Sequence, residues 1–432
     1  METSLMLFTR DLRIRDNPAL AAACRADRVV PLFVLDDAIL DGRFAAPNRV
    51  RFLHDSLADL RESLRGLGGD LVVRRGDPAA QVARLAGETG ARTVFLADDR
   101  SAYATRRLAA LRGIAPGLEV TACPGVTVVP PGALTPAGGD HYRVFTPYWR
   151  AWSAARHRPV ADTPRKLRPA PGVRPGALPR LASLTSGTPS PDLAEGGERA
   201  GRARMEAWLA QDAADYDDVH DDLAADRTSR LSPYLRFGCV SPLELANAVP
   251  EGPRRQLAWR DFHHQVAAAF PDLPRRDYRP RGRRWNRDED ALAAWRDGRT
   301  GVPIVDAGMR QLRREGFMHN RARLITASFL TRNLEVDWRE GLRHFGDLLA
   351  DGDIADNAGN WQWVAGTGND TRPNRVMNPL RQAARFDRSG DYVRRYVPEL
   401  ADLEPPRVHR PWTLPAARRR TVDYPPPIVH LE

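Results

Sequence analysis

Between Asp351 and Trp363 the chain reads Asp-Gly-Asp-Ile-Ala-Asp-Asn-Ala-Gly-Asn-Trp-Gln-Trp. Three acids, three amides and two tryptophans share these thirteen residues with two glycines. Neither an amphipathic helix nor an alternating strand requires that mixture. Asp351, Asp353 and Asn357 supply acceptors, and Asn357 adds an amide donor. Trp361 and Trp363 add broad apolar faces. Gly352 and Gly359 permit a turn or the close approach of another group. The types suit a binding site; read alone, they suit a helix start with two core tryptophans equally well.

Two further stretches could share such a site. Gln256, Trp259, Arg260 and His263 fall at i, i+3, i+4 and i+7 of a predicted helix over 255–270, on one face. An amide, an aromatic plane, a cation and an imidazole suit a flipped, stacked base better than a core stripe. Thr228-Ser229-Arg230-Leu231-Ser232-Pro233 reads as a turn into a helix, with Ser232 as N-cap and Pro233 in the first turn. Hydroxyls and free amides at a helix start can hold an anion. Ser241-Pro242-Leu243-Glu244 repeats the pattern as a plain capping box.

The elements that must carry these residues divide the chain. Apolar runs at 4–8, 29–35, 71–73, 93–97 and 118–122 alternate with helical spacing at 48–67, 78–88 and 102–111. That alternation predicts a parallel sheet covered by helices over 1–130, with ligands beyond the strands' carboxyl ends. There is no GxGxxG and no P-loop, so a standard dinucleotide or nucleoside triphosphatase site is a poor fit. Residues 131–200 are dense in proline and glycine and read as a connector wrapped over the surface. Only the aromatic run 145–152 breaks that pattern, and no chemistry is assigned to it. Residues 201–432 are helical throughout and hold eight of the ten tryptophans. The fold class is thus an α/β parallel-sheet domain followed by an all-α domain.

Composition limits the partners. The net charge is +10 and, of 65 basic residues, only Lys166 is lysine. Arginine suits bidentate grip on phosphate, and the charge favours a polyanion without proving one. Cys24, Cys123 and Cys239 form no metal-binding spacing, and a reducing cytoplasmic setting is expected. No apolar run approaches a membrane span, and the first ten residues lack a signal-peptide core.

The stretch from Asp351 to Trp363, continued by Val364 to Pro379 (Val-Ala-Gly-Thr-Gly-Asn-Asp-Thr-Arg-Pro-Asn-Arg-Val-Met-Asn-Pro), closely resembles the flavin-binding motif of the photolyase/cryptochrome family. The resemblance spreads over nearly the whole chain. It is greatest to class I cyclobutane pyrimidine dimer photolyases, in particular actinobacterial ones with a deazaflavin antenna. It implies U-shaped FAD in the helical domain, held by Tyr216, Thr228, Ser229, Arg230, Leu231, Ser232, Arg260, Arg323, Asp351, Gly352, Asp353 and Asn357. Arg323 is expected to pair with Asp351, and Asn357 to face flavin N5. Trp285, Trp338 and Trp361 match electron-relay tryptophans, whereas Trp295 does not and reads as core. Lesion contacts are implied at Gln256, Trp259, His263, Asn320, Arg321, Trp363 and Gln382. Phe8 to Arg13 resembles the family's opening motif, and Phe33, Asp36 and Arg49 resemble antenna-pocket residues. The antenna is expected to be 8-hydroxy-5-deazaflavin, with methenyltetrahydrofolate as the alternative.

The implied activity is light-driven splitting of pyrimidine dimers in double-stranded DNA by a monomer, cytoplasmic and at the nucleoid when bound. Asn357 and Gln256 are the implied catalytic groups. Glutamine replaces the glutamate usual at position 256; it can donate a hydrogen bond but cannot transfer a proton comparably. A cryptochrome-type photoreceptor without repair is the alternative. A (6-4) photolyase is less well matched, because its histidine pair would fall where the chain has Asn320 and Leu324. His319 alone reads as structural or phosphate-facing. Asparagine at 357 follows photolyases, where plant cryptochromes resemble it with aspartate and animal ones with cysteine.

Overall fold

The computed structural model describes residues 1–372 and 375–431. Pro373 and Asn374, within the flavin-motif continuation quoted above, and Glu432 lie outside the described residues. Five strands, β1 (Thr3–Phe8), β2 (Arg28–Leu35), β3 (Val72–Arg75), β4 (Thr93–Ala97) and β5 (Glu119–Cys123), form one parallel sheet in the order β3-β2-β1-β4-β5. β1 and β2 are buried along nearly their whole length, which is why they read as continuous apolar runs. The strand order reverses between β1 and β4, and the chain leaving β1 carries Thr9 and Arg10 into the crevice there.

The connector is a packed layer as well as a wrapping. Leu167 and Leu184 are buried, and Leu167 donates its amide to Leu67 at 2.7 Å. Its aromatic run forms a ten-residue helix, Phe145–Ala154, with Phe145, Tyr148 and Trp152 buried. Helices then run from Glu198 onward. Three of them build the site: Glu251–Ala269, Asn320–Ser328 and Ile354–Ala365. Gly359 lets the first and third of these helices meet, and Gly341, in the Trp338–Leu348 helix, lets a fourth pack against Trp361. A Cβ on Gly359 would stand 2.6 Å from the His263 ring, and one on Gly341 would stand 2.0 Å from the Trp361 ring. Among the described residues no helix is long and apolar enough to cross a membrane.

Candidate active site and second cavity

Asp353 caps the Ile354–Ala365 helix, accepting from the amides of Ala355 at 2.8 Å and Asp356 at 3.3 Å. Helical spacing then places Asn357, Trp361 and Val364 along one side, and all three line a cavity of about 420 Å³. Gln256, Trp259, Arg260 and His263 line the same cavity from the Glu251–Ala269 helix, as their spacing predicts. Asn320 and Arg323 enter from Asn320–Ser328, and Tyr216, Ser229, Ser232, Asp351, Asp353 and Trp363 complete the sequence-derived set.

The cavity holds its charges in fixed pairs. Arg323 reaches both oxygens of Asp351, at 3.1 and 2.7 Å, as the resemblance implies. Ser232 Oγ donates to Asp351 Oδ2 at 2.5 Å. Ser232 is the first helical residue and not the cap; Leu231 occupies the cap position without a side-chain bond, which leaves the amides of Ser232 and Tyr234 without a side-chain cap, Pro233 having none. Burial pushes the Asp353 carboxyl up, but Arg10 and then His264 outweigh it and hold it well below the usual carboxylate range. Asp353 thus ties the cavity helix to the sheet domain. His264, Asp353 and Asp356 bring possible ligand atoms within 4.8 Å of one another, but Arg10 already supplies the cation there.

Other expected residues stand behind the wall. Arg230 bonds Asp226 and Glu315 at 2.8 Å each and lies over the Phe317 ring, so its guanidinium is spent away from the cavity. Arg321 is taken bidentately by Asp221, at 3.0 and 2.6 Å, and covers Phe386. Gly352 sits against the Arg49 guanidinium, where a Cβ would be 2.8 Å away. Thr228, Leu231 and Gln382 are likewise outside the lining. Thr228 Oγ1 and Gln382 Oε1 are nevertheless buried polar atoms without a hydrogen-bond partner. Such atoms are rare unless a ligand or water completes them.

Trp338 and Trp361 lie in one apolar cluster, and the partly buried Trp285 packs against it. Asn286 donates to Glu335 at 2.7 Å, which brings the Trp285 segment beside the one that leads into Trp338. Trp295 is fully buried, as expected of core, yet it also meets Trp361 edge-on at 6.1 Å. Residues that the sequence did not single out, including Arg236, Asp356, Asn360 and Phe345, also line the cavity. They look like ordinary helix residues until the helices are assembled.

A second cavity, of about 510 Å³, opens at the carboxyl ends of β1, β2 and β4 and is closed by the helical domain. Phe33, Asp36 and Arg49 line it, as the resemblance implies. Asp36 accepts from the Tyr103 hydroxyl, and burial pushes its carboxyl up. Every Arg49 nitrogen is engaged by a backbone carbonyl. Its nitrogens bond the carbonyls of Phe44 at 3.0 and 2.7 Å, of Leu349 at 2.9 Å and of Gly346, so it clamps the two domains. The free donors belong to residues the sequence reading missed. Arg107 Nε and Arg236 Nε are buried with no hydrogen-bond partner among the described residues. Burial lowers both guanidinium groups, Arg236 to about 9. Arg236 and Asp353 line both cavities.

A sheet domain with a cavity at its switch point, joined to helices that enclose a second cavity of paired arginine, carboxylate and tryptophan, is the architecture of flavin-dependent photolyases and cryptochromes. Family models agree: residues 4–169 match that of DNA photolyase, and 253–432 that of the FAD binding domain of DNA photolyase. The chain belongs to the DNA photolyase family and carries its FAD-binding domain. It is 53% identical to a deoxyribodipyrimidine photo-lyase of Streptomyces griseus, over 100% of this chain and 97% of the relative. It is 37% identical to a cryptochrome DASH of Natronomonas pharaonis, over 100% and 99%. Among solved structures it superposes on a class III photolyase of Agrobacterium tumefaciens with a TM-score of 0.91, at 35% identity over 100% and 95%. An archaeal photolyase of Sulfolobus tokodaii, solved with two FAD molecules, gives 0.88 at 31% identity over 99% and 96%.

Proposed function

We propose that the protein repairs cyclobutane pyrimidine dimers in double-stranded DNA with blue light. The observation that carries the reading is the joint lining of one cavity by Arg323–Asp351, Asn357, Gln256, Trp259 and Trp363. The family's FAD fits that cavity: Arg236, whose Nε is buried without a partner among the described residues, lines it, the Ser232–Phe237 helix start has no side-chain cap, and Ser229 and Ser232 border it. When bound, FAD supplies the light-driven electron that opens the cyclobutane ring and is then recovered. Arg323 and Asp351 would hold the cofactor, and Asn357, whose amide nitrogen is steadied by a long 3.4 Å bond to the Leu342 carbonyl, would tune its ring system. Trp259 and Trp363 stack on the flipped bases, and Gln256 donates an amide N–H to a carbonyl that gains charge. Neither Asn320 nor Leu324 is a useful general acid near pH 7, so (6-4) products, whose repair requires proton transfer, are poor substrates. The protein acts as a cytoplasmic monomer that joins the nucleoid through DNA.

The second cavity holds an antenna chromophore. Seven arginines face three aspartates across its lining, and two of the arginines keep an unused donor. That field favours an anionic ligand, and 8-hydroxy-5-deazaflavin, with its ionisable hydroxyl, fits better than methenyltetrahydrofolate. The test of the whole reading is chromatography of oligonucleotides with one defined lesion after illumination of reduced enzyme. Restoration of the cyclobutane dimer supports it. No restoration with FAD fully reduced would overturn it in favour of a photoreceptor.

A further inference from the structure

Phe145, in the connector, lies flat on Trp259: ring centroids are 3.7 Å apart and the planes differ by 8°. Phe145 is buried, while Trp259 is half-buried and lines the candidate lesion cavity. An indole has two faces, and this contact covers one. Phe262 meets Trp259 edge-on at 5.6 Å and His263 lies at 5.7 Å, so the ring's tilt is fixed from the side as well. The connector itself is anchored to the helix that carries Trp259. Trp152 Nε1 donates to Asp261 at 2.9 Å, and Tyr142 and Gln265 exchange two hydrogen bonds, at 2.9 and 2.7 Å. Arg255 then packs over the Phe145 ring at 5.6 Å.

We propose that Phe145 is a positioning residue for the lesion: it holds the Trp259 ring at a fixed tilt, leaving its other face as a preformed platform for a flipped base. The inference rests on the reading of Trp259 as a stacking residue. A free tryptophan at a cavity rim loses rotamer freedom when a base stacks on it, whereas a backed one has already lost it on folding. Nothing in the fold alone requires near-parallel contact, since buried aromatic pairs pack as well edge-to-face. Trp363, the second proposed stacking residue, is backed too, by the Arg375 guanidinium at 5.1 Å from its ring.

The experiment compares Phe145→Leu, Phe145→Tyr and Trp259→Ala, each with FAD content and melting temperature recorded. Binding is measured on a duplex with one thymine dimer and on the undamaged duplex. Phe145→Leu should weaken dimer binding roughly two- to tenfold, the scale of one aromatic pair. Undamaged binding and repair per photon at saturating dimer should stay unchanged, and Phe145→Tyr should restore affinity. A general packing defect would instead lower FAD content, melting and both affinities together, and would overturn the inference. So would parental dimer affinity in Phe145→Leu while Trp259→Ala binds weakly. If Trp259→Ala also binds like the parent, the platform reading itself fails.

Discussion

Arg323 grips Asp351 through both terminal nitrogens, and Ser232 closes the remaining approach to the same carboxylate. The Asp351 side chain is 4% exposed, so removing its cation leaves a buried charge almost uncompensated. Arg323→Ala should therefore lose FAD during desalting and weaken its rebinding by at least about tenfold, or about 1.4 kcal/mol. Full retention of flavin absorbance would show that the pair serves only the fold.

Trp361 sits at the cavity with Trp338 behind it in the same cluster and Trp285 toward solvent. Trp361→Phe and Trp338→Phe should keep FAD and greatly slow its photoreduction by an external thiol. Trp295→Phe should not slow it, because Trp295 matches no relay position of the family although it meets Trp361 edge-on. Laser-flash absorbance reads all three; equal rates in the parent and Trp361→Phe would dispose of the relay.

The lesion chemistry turns on Gln256. Gln256→Glu should preserve or raise the yield of dimer repair, and Trp259→Ala should cost dimer binding roughly 1 to 3 kcal/mol through lost stacking. Binding should also weaken with salt, each neutralised phosphate adding about 0.7 to 0.9 to the log–log slope. Efficient repair of a (6-4) product would contradict the assignment of Asn320 and Leu324 as inert to proton transfer.

At the second cavity the arginines should separate by role. Arg107→Gln removes a cation whose Nε has no hydrogen-bond partner among the described residues, and should lower antenna absorbance more than it lowers the melting temperature. Arg49→Ala breaks a cross-domain clamp and should lower both. Identical spectra and melting for the two variants would reject that division.

Stability should fall in mild acid. Burial pushes the His319 imidazole down to about 4, and its Nε2 has no partner, so the folded protein keeps it neutral. The unfolded chain, with an ordinary value near 6.5, takes up a proton first as pH falls. This contribution is therefore present above about pH 6.5 and is lost progressively down to about pH 4, with roughly 2 kcal/mol gone by pH 5. His319 Nδ1 accepts the Arg321 amide, a role that Asn can fill. His319→Asn should flatten the difference between urea midpoints at pH 7 and pH 5; an unaltered slope would clear His319.

What could be read from the sequence was local or periodic. β1 and β2 announced themselves because buried parallel strands are apolar throughout, and Gln256 to His263 because helical spacing fixes a face. What could not be read depended on partners far along the chain. Nothing near Arg49 shows that its donors are consumed by carbonyls at Phe44, Gly346 and Leu349. Nothing near Arg230 or Arg321 shows that Glu315 and Asp221 claim them first. Arg107 and Arg236 do not stand out in the sequence, because a surface arginine and one left with a buried, unpartnered Nε look alike until neighbours are placed. Phe145 carries no chemical signal of its own in the sequence, because its partner, Trp259, lies more than a hundred residues along the chain in the helical domain.

Arg236 and Asp353 face both cavities, so the partition between them is in places a single side chain thick. If the second cavity holds the proposed antenna, a substitution at either position is two experiments at once, and its effects on the two ligands will not be separable by phenotype alone. In an evolving lineage these positions would answer to two ligands, so a change of antenna that needs a different residue at 236 has to be tolerated by the flavin site in the same step.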